Sequence, residues 1–166
     1  MSKLNYKIEE YKSLFSIKIQ NSNVSLKLAE EKNFKDIIDL ADSTTELVDD
    51  IKNKKWLSYD FLKSIHSNKD IFLYVIEEDD EFVGFSMSYI VPSLKEACLH
   101  SMAIKKEYRN KKISKIVLPY IIKELSKHVD YIWGIVETEN LAVENILSNN
   151  NFICDKRKYY YYYNEK

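Results

Sequence analysis

The sequence predicts a single α/β (α+β) domain built on a mixed sheet, and three observations carry that prediction. Apolar residues alternate at period two in several short runs, and in others they recur at helical spacing. From residue 96 onward the two patterns follow one another as strand, helix, strand, helix, the signature of a βαβ unit with a parallel strand pair. The 166 residues suffice for one domain to bury a core without metal or disulfide staples, and no repeat, linker or low-complexity segment divides the chain.

Taken in order, residues 1–14 read as a short helix. In "LFSIKIQNSNVSLKLAE", Phe15, Ile17 and Ile19, then Val24, Leu26 and Leu28, alternate around a polar Asn-Ser-Asn, which predicts two strands and a turn. Asn33 stands at an N-cap position before Phe34, Ile37, Ile38 and Ala41, one face of a helix. Leu47, Val48 and Ile51 mark a second helical stretch, and Ser58 caps a third that carries Phe61, Leu62 and Ile65. "IFLYVIEEDDEFVGFSMSYIV" holds two β-rich runs around consecutive acids from Glu77 to Glu81, so a hairpin with a solvated acidic tip is the simplest arrangement. "EACLHSMAI" is a further strand, "ISKIVLPYIIKELSKH" a helix, "YIWGIVET" a strand and "NLAVENILSN" a helix. "FICDKRKYYYYYN" gives one or two strands, with Tyr159 to Tyr163 alternating between faces. Pro119 costs about 3 kcal/mol in a regular interior turn, which implies a kink or a shifted helix start.

Composition narrows the function classes. With 25 basic against 26 acidic side chains and 45% apolar residues, the chain is neither compositionally disordered nor a polycation, so nucleic acid is not an expected partner. Cys98 and Cys154 form no CxxC pair and lack zinc-site spacing, which predicts reduced core thiols, no metal, and an intracellular, cytoplasmic protein. No run approaches the roughly 18 apolar residues of a membrane span, so a soluble, unprocessed chain without membrane association is expected. Two glycines and two prolines, among many Lys, Asn, Ile and Tyr, reflect the bias of an AT-rich genome, which erodes glycine motifs.

Positive charge gathers at one place. Lys105, Lys106, Arg109, Lys111, Lys112 and Lys115 surround the expected start of a helix. A helix start presents unpaired N–H groups and the positive end of the dipole, an anion site best suited to phosphate. A charged, solvated turn is the alternative. The position favours the ligand reading, because the cluster directly follows a strand ending in Met102, Ala103 and Ile104, and strand-to-helix turns are where nucleotide-like ligands dock.

These residues resemble the GNAT superfamily of acyl-CoA-dependent N-acetyltransferases, over residues 24 to about 163. "CLHSMAIKKEYRNKKISKIVLPYIIKEL" is similar to the family's fourth strand followed by the (Arg/Gln)-x-x-Gly-x-(Gly/Ala) loop that cradles the coenzyme A pyrophosphate. Arg109 takes the first position, Lys112 the glycine position and Ser114 the small one. Three features accommodate the missing glycine: Asn110 tolerates left-handed backbone, Ser114 is small, and extra lysines add phosphate contacts. "ENLAVENILSNNNF" resembles the family's helix that opens near an asparagine and ends in Gly-Phe, with Asn140 and Phe152 at the matching places and Asn151 for the glycine. Gly84 in "EFVGFSM" falls where the family's third strand often has one.

The resemblance implies a mostly antiparallel central sheet with helices on both faces and a splayed parallel pair formed by "EACLHSMAI" and "YIWGIVET", the family's fourth and fifth strands. It divides the chain into an N-terminal extension over 1–23 and an acetyltransferase-like domain over 24–166. It implies acetyl-CoA as co-substrate, held by Met102, Ala103, Ile104, Arg109, Asn110, Lys111, Lys112, Ile113, Ser114, Lys115 and Asn140. The expected reaction is N-acetyl transfer to a small amine or a peptide amine by direct attack in a ternary complex.

Such an amine is protonated at neutral pH, and histidine is the residue best matched to removing its proton. His100 in "LHSMAI" is the candidate, on a stretch similar to the His-x-Leu-Ala-Val strand of serotonin N-acetyltransferases, and Glu137 is the second candidate; a packed strand residue is the alternative for His100. His66 and His128 fall on helices as surface residues. The tyrosine that many members place near the coenzyme sulfur corresponds to Leu147, which cannot donate a proton. A thiol of pKa about 8.5 still leaves tolerably as thiolate, with water as the proton source. Asp39, Asp42, Glu46 and Asp49 either present negative charge to a cationic amine or form the exposed face of a helix. The competing readings are a catalytically impaired GNAT-fold protein that acts as a coenzyme A sensor or interaction module, and an electrostatic binding patch whose affinity falls steeply with salt. A homodimer would use the extension or the tyrosine-rich last strand.

Overall fold

The structure, a computed structural model, describes residues 16–19, 22–44, 57–136 and 140–155. Strands β1 (Ser16–Lys18), β2 (Val24–Leu28), β3 (Ile71–Glu78), β4 (Glu81–Val91), β5 (Glu96–Ile104) and β6 (Tyr131–Gly134) form one sheet in sequence order. The first four pairings are antiparallel. The last, β5 with β6, is parallel. That parallel pair needs a crossover, and the crossover is helix α3 (Ile113–Leu125). Helices α1 (Phe34–Ser43), α2 (Tyr59–His66) and α4 (Leu141–Asn149) complete the described elements. The mixed, mostly antiparallel sheet with one parallel pair is the architecture the sequence implied.

Strand β3 explains why its sequence is a continuous apolar run rather than an alternating one: it is covered on both faces. Phe72, Tyr74 and Ile76 join Val24, Leu26, Val117, Ile121 and Leu125 in the cluster beneath α3. Leu73 and Val75 join Phe34, Ile37, Leu62 and Phe85 beneath α1 and α2. Each fully buried large side chain of this kind contributes about 1.5–3 kcal/mol. Ile17 and Ile19 enter the α3-side cluster, so the described part of the expected extension packs with the sheet.

Tyr74 is fully buried, and among the described residues its hydroxyl finds no hydrogen-bond partner. Burial drives the phenol well above its ordinary value and keeps it neutral. Removing an unsatisfied buried hydroxyl relieves a desolvation cost, so Tyr74→Phe is expected to raise stability by about 1 kcal/mol. A thermal melt reads this directly, and a lower melting temperature would show that the hydroxyl has a partner.

The local chemistry at element ends matches the sequence in several places. Ser58 caps α2, its hydroxyl accepting from Phe61 N–H at 3.2 Å. The acids of the β3–β4 hairpin form a two-residue turn in which Asp79 and Asp80 both take positive φ, 52° and 65°. This is the twist that a tight hairpin favours. Helix α4 ends as its asparagines suggest: Asn151 sits at φ 63°, while Phe152 N–H and Asn151 N–H donate to the carbonyls of Leu147 and Ser148. Gly84 is required by close approach, since a Cβ there would lie 2.4 Å from the Ala103 carbonyl oxygen.

Other expectations are corrected. Asn33 precedes α1, but its side chain accepts from Glu30 N–H at 2.9 Å across a short 3-10 turn rather than capping the helix itself. Helix α3 starts at Ile113 and runs through Pro119, so its start is not shifted. Residues 126–128 form a turn beyond its end. Strand β6 ends at Gly134, so Ile135 and Val136 of the expected run lie outside it, and the last two residues of that run lie outside the described residues. Cys98 is a buried thiol, but Cys154 is exposed. The acidic tip is only partly solvated: Glu77 pairs with Lys27, and Glu78 with Lys111. The expected helices at 1–14 and 47–51, Glu46, Asp49, Glu137 and Tyr159 to Tyr163 lie outside the described residues, and no strand forms over the described residues 152–155.

Candidate active site

The site begins where β5 changes partners. Along β4 the register shifts between Met87 and Ser88, so that Ser101 and Leu99 of β5 have partners and His100 is the extra residue. A bulge of this kind bends the strand and re-aims a side chain. On its other edge β5 pairs with β6 only from Glu96 to Leu99, opposite Tyr131 to Gly134. Among the described residues no strand pairs with that edge of β5 after His100. The two parallel strands therefore part at the bulge.

The backbone of the free stretch can be oriented from its hydrogen bonds. Lys105 N–H donates to the Val83 carbonyl of β4 at 2.8 Å. Antiparallel alternation then turns the N–H and C=O groups of Met102 and Ile104 toward the open edge and those of Ala103 toward β4. Arg109 Nε donating to the Ile104 carbonyl at 3.2 Å agrees with that assignment. Of the three expected strand residues, Met102 and Ile104 present their backbone to the open edge. Ala103 does not; its side chain is buried beneath α1 and α2.

Beyond β5 the chain makes a 3-10 turn, Lys106–Lys111, and enters α3 through Lys112. Lys112 stands at φ 61°, ψ 20°, in the left-handed region. Glycine reaches this conformation freely, whereas a residue with a Cβ is held there at a cost of roughly 1–2 kcal/mol. Lys112 thus holds a backbone conformation that glycine takes freely. The first helical bond runs from Ile116 N–H to the Lys112 carbonyl at 3.1 Å, so the N–H groups of Ile113, Ser114 and Lys115 open at the helix start. The Ile113 side chain is buried in the core and can offer a ligand only its backbone.

The cations divide. Lys112, Lys115 and Arg109 are exposed around the helix start. Lys111 points away: its Nζ lies 2.6 Å from the Glu78 carboxylate and 4.3 Å from the Tyr108 ring centre. The hydrogen bond to Glu78 first, and then the charge of that carboxylate, raise the Lys111 ammonium above its ordinary value. Lys105 lies over the Phe82 ring at 5.1 Å. Beside the turn, a cleft of about 650 Å³ is lined by Asp36 and Asp39 of α1 and by Lys105, Lys106 and Arg109. Asp39 is paired with Lys35 at 2.5 Å, and Asp42 is exposed. Asn140 caps α4, its side-chain oxygen accepting from Val143 N–H at 3.3 Å.

His100 is exposed at the bulge, 6.1 Å from the Tyr89 ring. Tyr89 in turn meets Trp133 edge-on at 6.3 Å. Burial first, and then the Cys98 thiol hydrogen-bonded to it, push the Tyr89 phenol up to about 12. Burial likewise raises Cys98, opposed by the bond from Tyr89. Sequence reasoning missed Tyr89 and Trp133, and a cross-strand alignment of "SMSYIV" with "EACLHS" was the signal that could have paired Tyr89 with Cys98. Neither of the other two described histidines shares this site: His66 packs edge-on against Phe34 at 5.8 Å, and His128 follows α3. Both are only half exposed. Among the described residues no cluster of His, Cys, Asp or Glu is arranged to hold a metal ion, and no helix is long and apolar enough to cross a membrane.

The family model for the acetyltransferase (GNAT) family matches residues 35–148, more than half of the chain. No curated protein sequence matches it. Among solved structures, an aminoglycoside acetyltransferase from an uncultured soil metagenomic sample, bound to sisomicin, superposes with a TM-score of 0.65 at 15% identity, over 90% of this chain and 100% of that one. RimL, a ribosomal L7/L12 α-N-protein acetyltransferase bound to coenzyme A, gives 0.68 at 14% identity over 82% and 83%. A possible acetyltransferase from Clostridium difficile 630 gives 0.64 at 19% identity over 86% and 99%. At these identities the likeness is one of fold.

Proposed function

Because the chain belongs to the acetyltransferase (GNAT) family of acyl-CoA N-acyltransferases, we propose that it moves an acetyl group from acetyl-CoA to a primary amine by direct attack in a ternary complex. The observation that carries this reading is Lys112 at φ 61° between β5 and α3, which keeps a phosphate-cradling backbone where the glycine is gone.

The chain's residues fit the co-substrate. Arg109, Lys112 and Lys115, with the N–H groups that open α3, would hold the pyrophosphate. Pantetheine would lie along the open edge of β5 against the backbone of Met102 and Ile104. Bound there, acetyl-CoA supplies an activated acyl group on a thiol leaving group. Met102 N–H, the first donor beyond the bulge on that edge, polarises the thioester carbonyl. His100, directly or through one water, takes the proton from the attacking amine. The N–C bond forms as the C–S bond breaks, and the thiolate takes its proton from water, since Leu147 has none to give. Asn140 serves the pantetheine end indirectly by fixing the start of α4. Sisomicin and a ribosomal protein, named for two structural neighbours, are amine-bearing molecules and support an amine acceptor.

Calorimetry with acetyl-CoA, followed by thiol release with a panel of polyamines, aminoglycosides and peptides, tests the proposal. One-to-one micromolar binding with turnover of at least one amine is expected. Binding without turnover of any amine would leave a coenzyme A sensor. No binding by the folded chain would end the transferase reading.

A further inference from the structure

We propose that Glu78, Glu81 and Tyr108 are positioning residues for the anion-binding turn, and that the acidic β3–β4 hairpin is the brace which a turn without glycine requires. The inference rests on the reading of residues 106–115 as a pyrophosphate cradle.

Two side chains of the turn end on the hairpin. Tyr108 donates its hydroxyl to the Glu81 carboxylate at 2.8 Å, and Lys111 Nζ meets the Glu78 carboxylate at 2.6 Å. The Lys111 ammonium also lies 4.3 Å from the Tyr108 ring centre, so the two tethers support each other. The hairpin end is itself fixed: Glu77 pairs with Lys27 of β2, while Asp79 N–H donates to the Asn23 carbonyl at 3.1 Å and its carboxylate accepts from the Asn23 amide at 2.8 Å. A continuous path of contacts therefore runs from β2 through the hairpin to Lys111, the residue immediately before left-handed Lys112.

A strained backbone position persists only where its surroundings over-determine it. An isolated surface ion pair would do little of that work. Here the Glu78 side chain is only 12% exposed, and the pair is one strand of a linked set. The acids at the tip thereby gain a role that neither composition nor the hairpin alone gives them: they consume one cation of the cluster to hold the next residue in the conformation that turns backbone N–H groups toward the ligand.

The brace and simple electrostatics predict opposite signs. Glu78→Gln removes a negative charge beside an anion site, which by Coulomb attraction alone tightens acetyl-CoA binding. Bracing predicts weaker binding. Acetyl-CoA would be titrated by calorimetry into the full chain carrying Glu78→Gln, Tyr108→Phe or both, each with Lys112 and with Lys112→Gly. With Lys112 present, the single changes are expected to weaken binding about three- to tenfold and the pair about tenfold or more. The KM for acetyl-CoA should rise while kcat at saturation stays at the wild-type value. With glycine at 112, which takes the left-handed conformation unaided, the same changes should lose their effect. Melting curves for every variant separate this from general unfolding, which would lower kcat as well and would not be rescued by glycine. Unchanged or tighter binding by Glu78→Gln, or an equal loss in the Lys112→Gly background, would overturn the brace alone. A folded wild type that does not bind acetyl-CoA would overturn the cradle and the brace together.

Discussion

His100→Ala is expected to lower kcat by about 10²- to 10⁴-fold, the range a positioned general base supplies, while acetyl-CoA binding and the melting temperature stay at their wild-type values. The geometry separates these effects. As the extra residue of the β5 bulge, His100 has no opposite residue on β4. Its side chain is exposed and is absent from both core clusters, so its removal leaves no core cavity. Tyr89, the aromatic neighbour with a titratable hydroxyl, is pushed up to about 12 and stays protonated at neutral pH; it can donate a hydrogen bond but cannot accept the proton of an ammonium. Thiol release with an amine found in the acceptor panel measures kcat, and calorimetry measures the binding it should leave intact. A loss of less than about tenfold would remove His100 from the proton path, leave it an exposed residue of the bulge, and move the search for a base to Glu137 or to solvent.

The parts of this molecule that were legible from sequence are those fixed by local chemistry. Ser58 announced α2 because only a short polar side chain can accept from the third residue of a helix. Asn151 announced the end of α4 because asparagine tolerates positive φ. The double-covered β3 was legible as a strand from its apolar run, although periodicity alone could not say which face each residue would take. What could not be read was long-range. The bulge at His100 depends on which residue of β4 stands opposite, and no pattern within "EACLHSMAI" marks the extra residue. The diversion of Lys111 to Glu78 joins residues 33 positions apart, so a cluster that looks uniformly available for phosphate is in fact divided. Tyr89 reached His100, and Trp133 reached Tyr89, in the same way, through strand pairing and not through spacing.

Arg109→Ala combined with Lys112→Ala is expected to weaken acetyl-CoA binding by about 10²- to 10⁴-fold. Two hydrogen bonds from charged donors to phosphate are each worth about 1.5–3 kcal/mol, which together correspond to that range. Alanine at 112 keeps a Cβ at φ 61°, so the backbone strain is unchanged and the loss reports on charge. Arg109 also donates to the Ile104 carbonyl, and its removal frees a backbone acceptor on the open edge of β5 without taking a donor away from it. Two measurements distinguish a phosphate contact from general loss of positive charge. Lys127→Ala removes the same kind of cation from beyond the far end of α3, where Lys127 pairs with Glu124 at 2.5 Å, and should leave binding unchanged. Raising salt should weaken the wild type more steeply than the double variant, because fewer charge contacts remain to be screened. A loss below about threefold would mean that the N–H groups at the start of α3 hold the phosphates by themselves. In that case the lysines gathered from Lys105 to Lys115 are a solvated surface, and the left-handed turn alone carries the site.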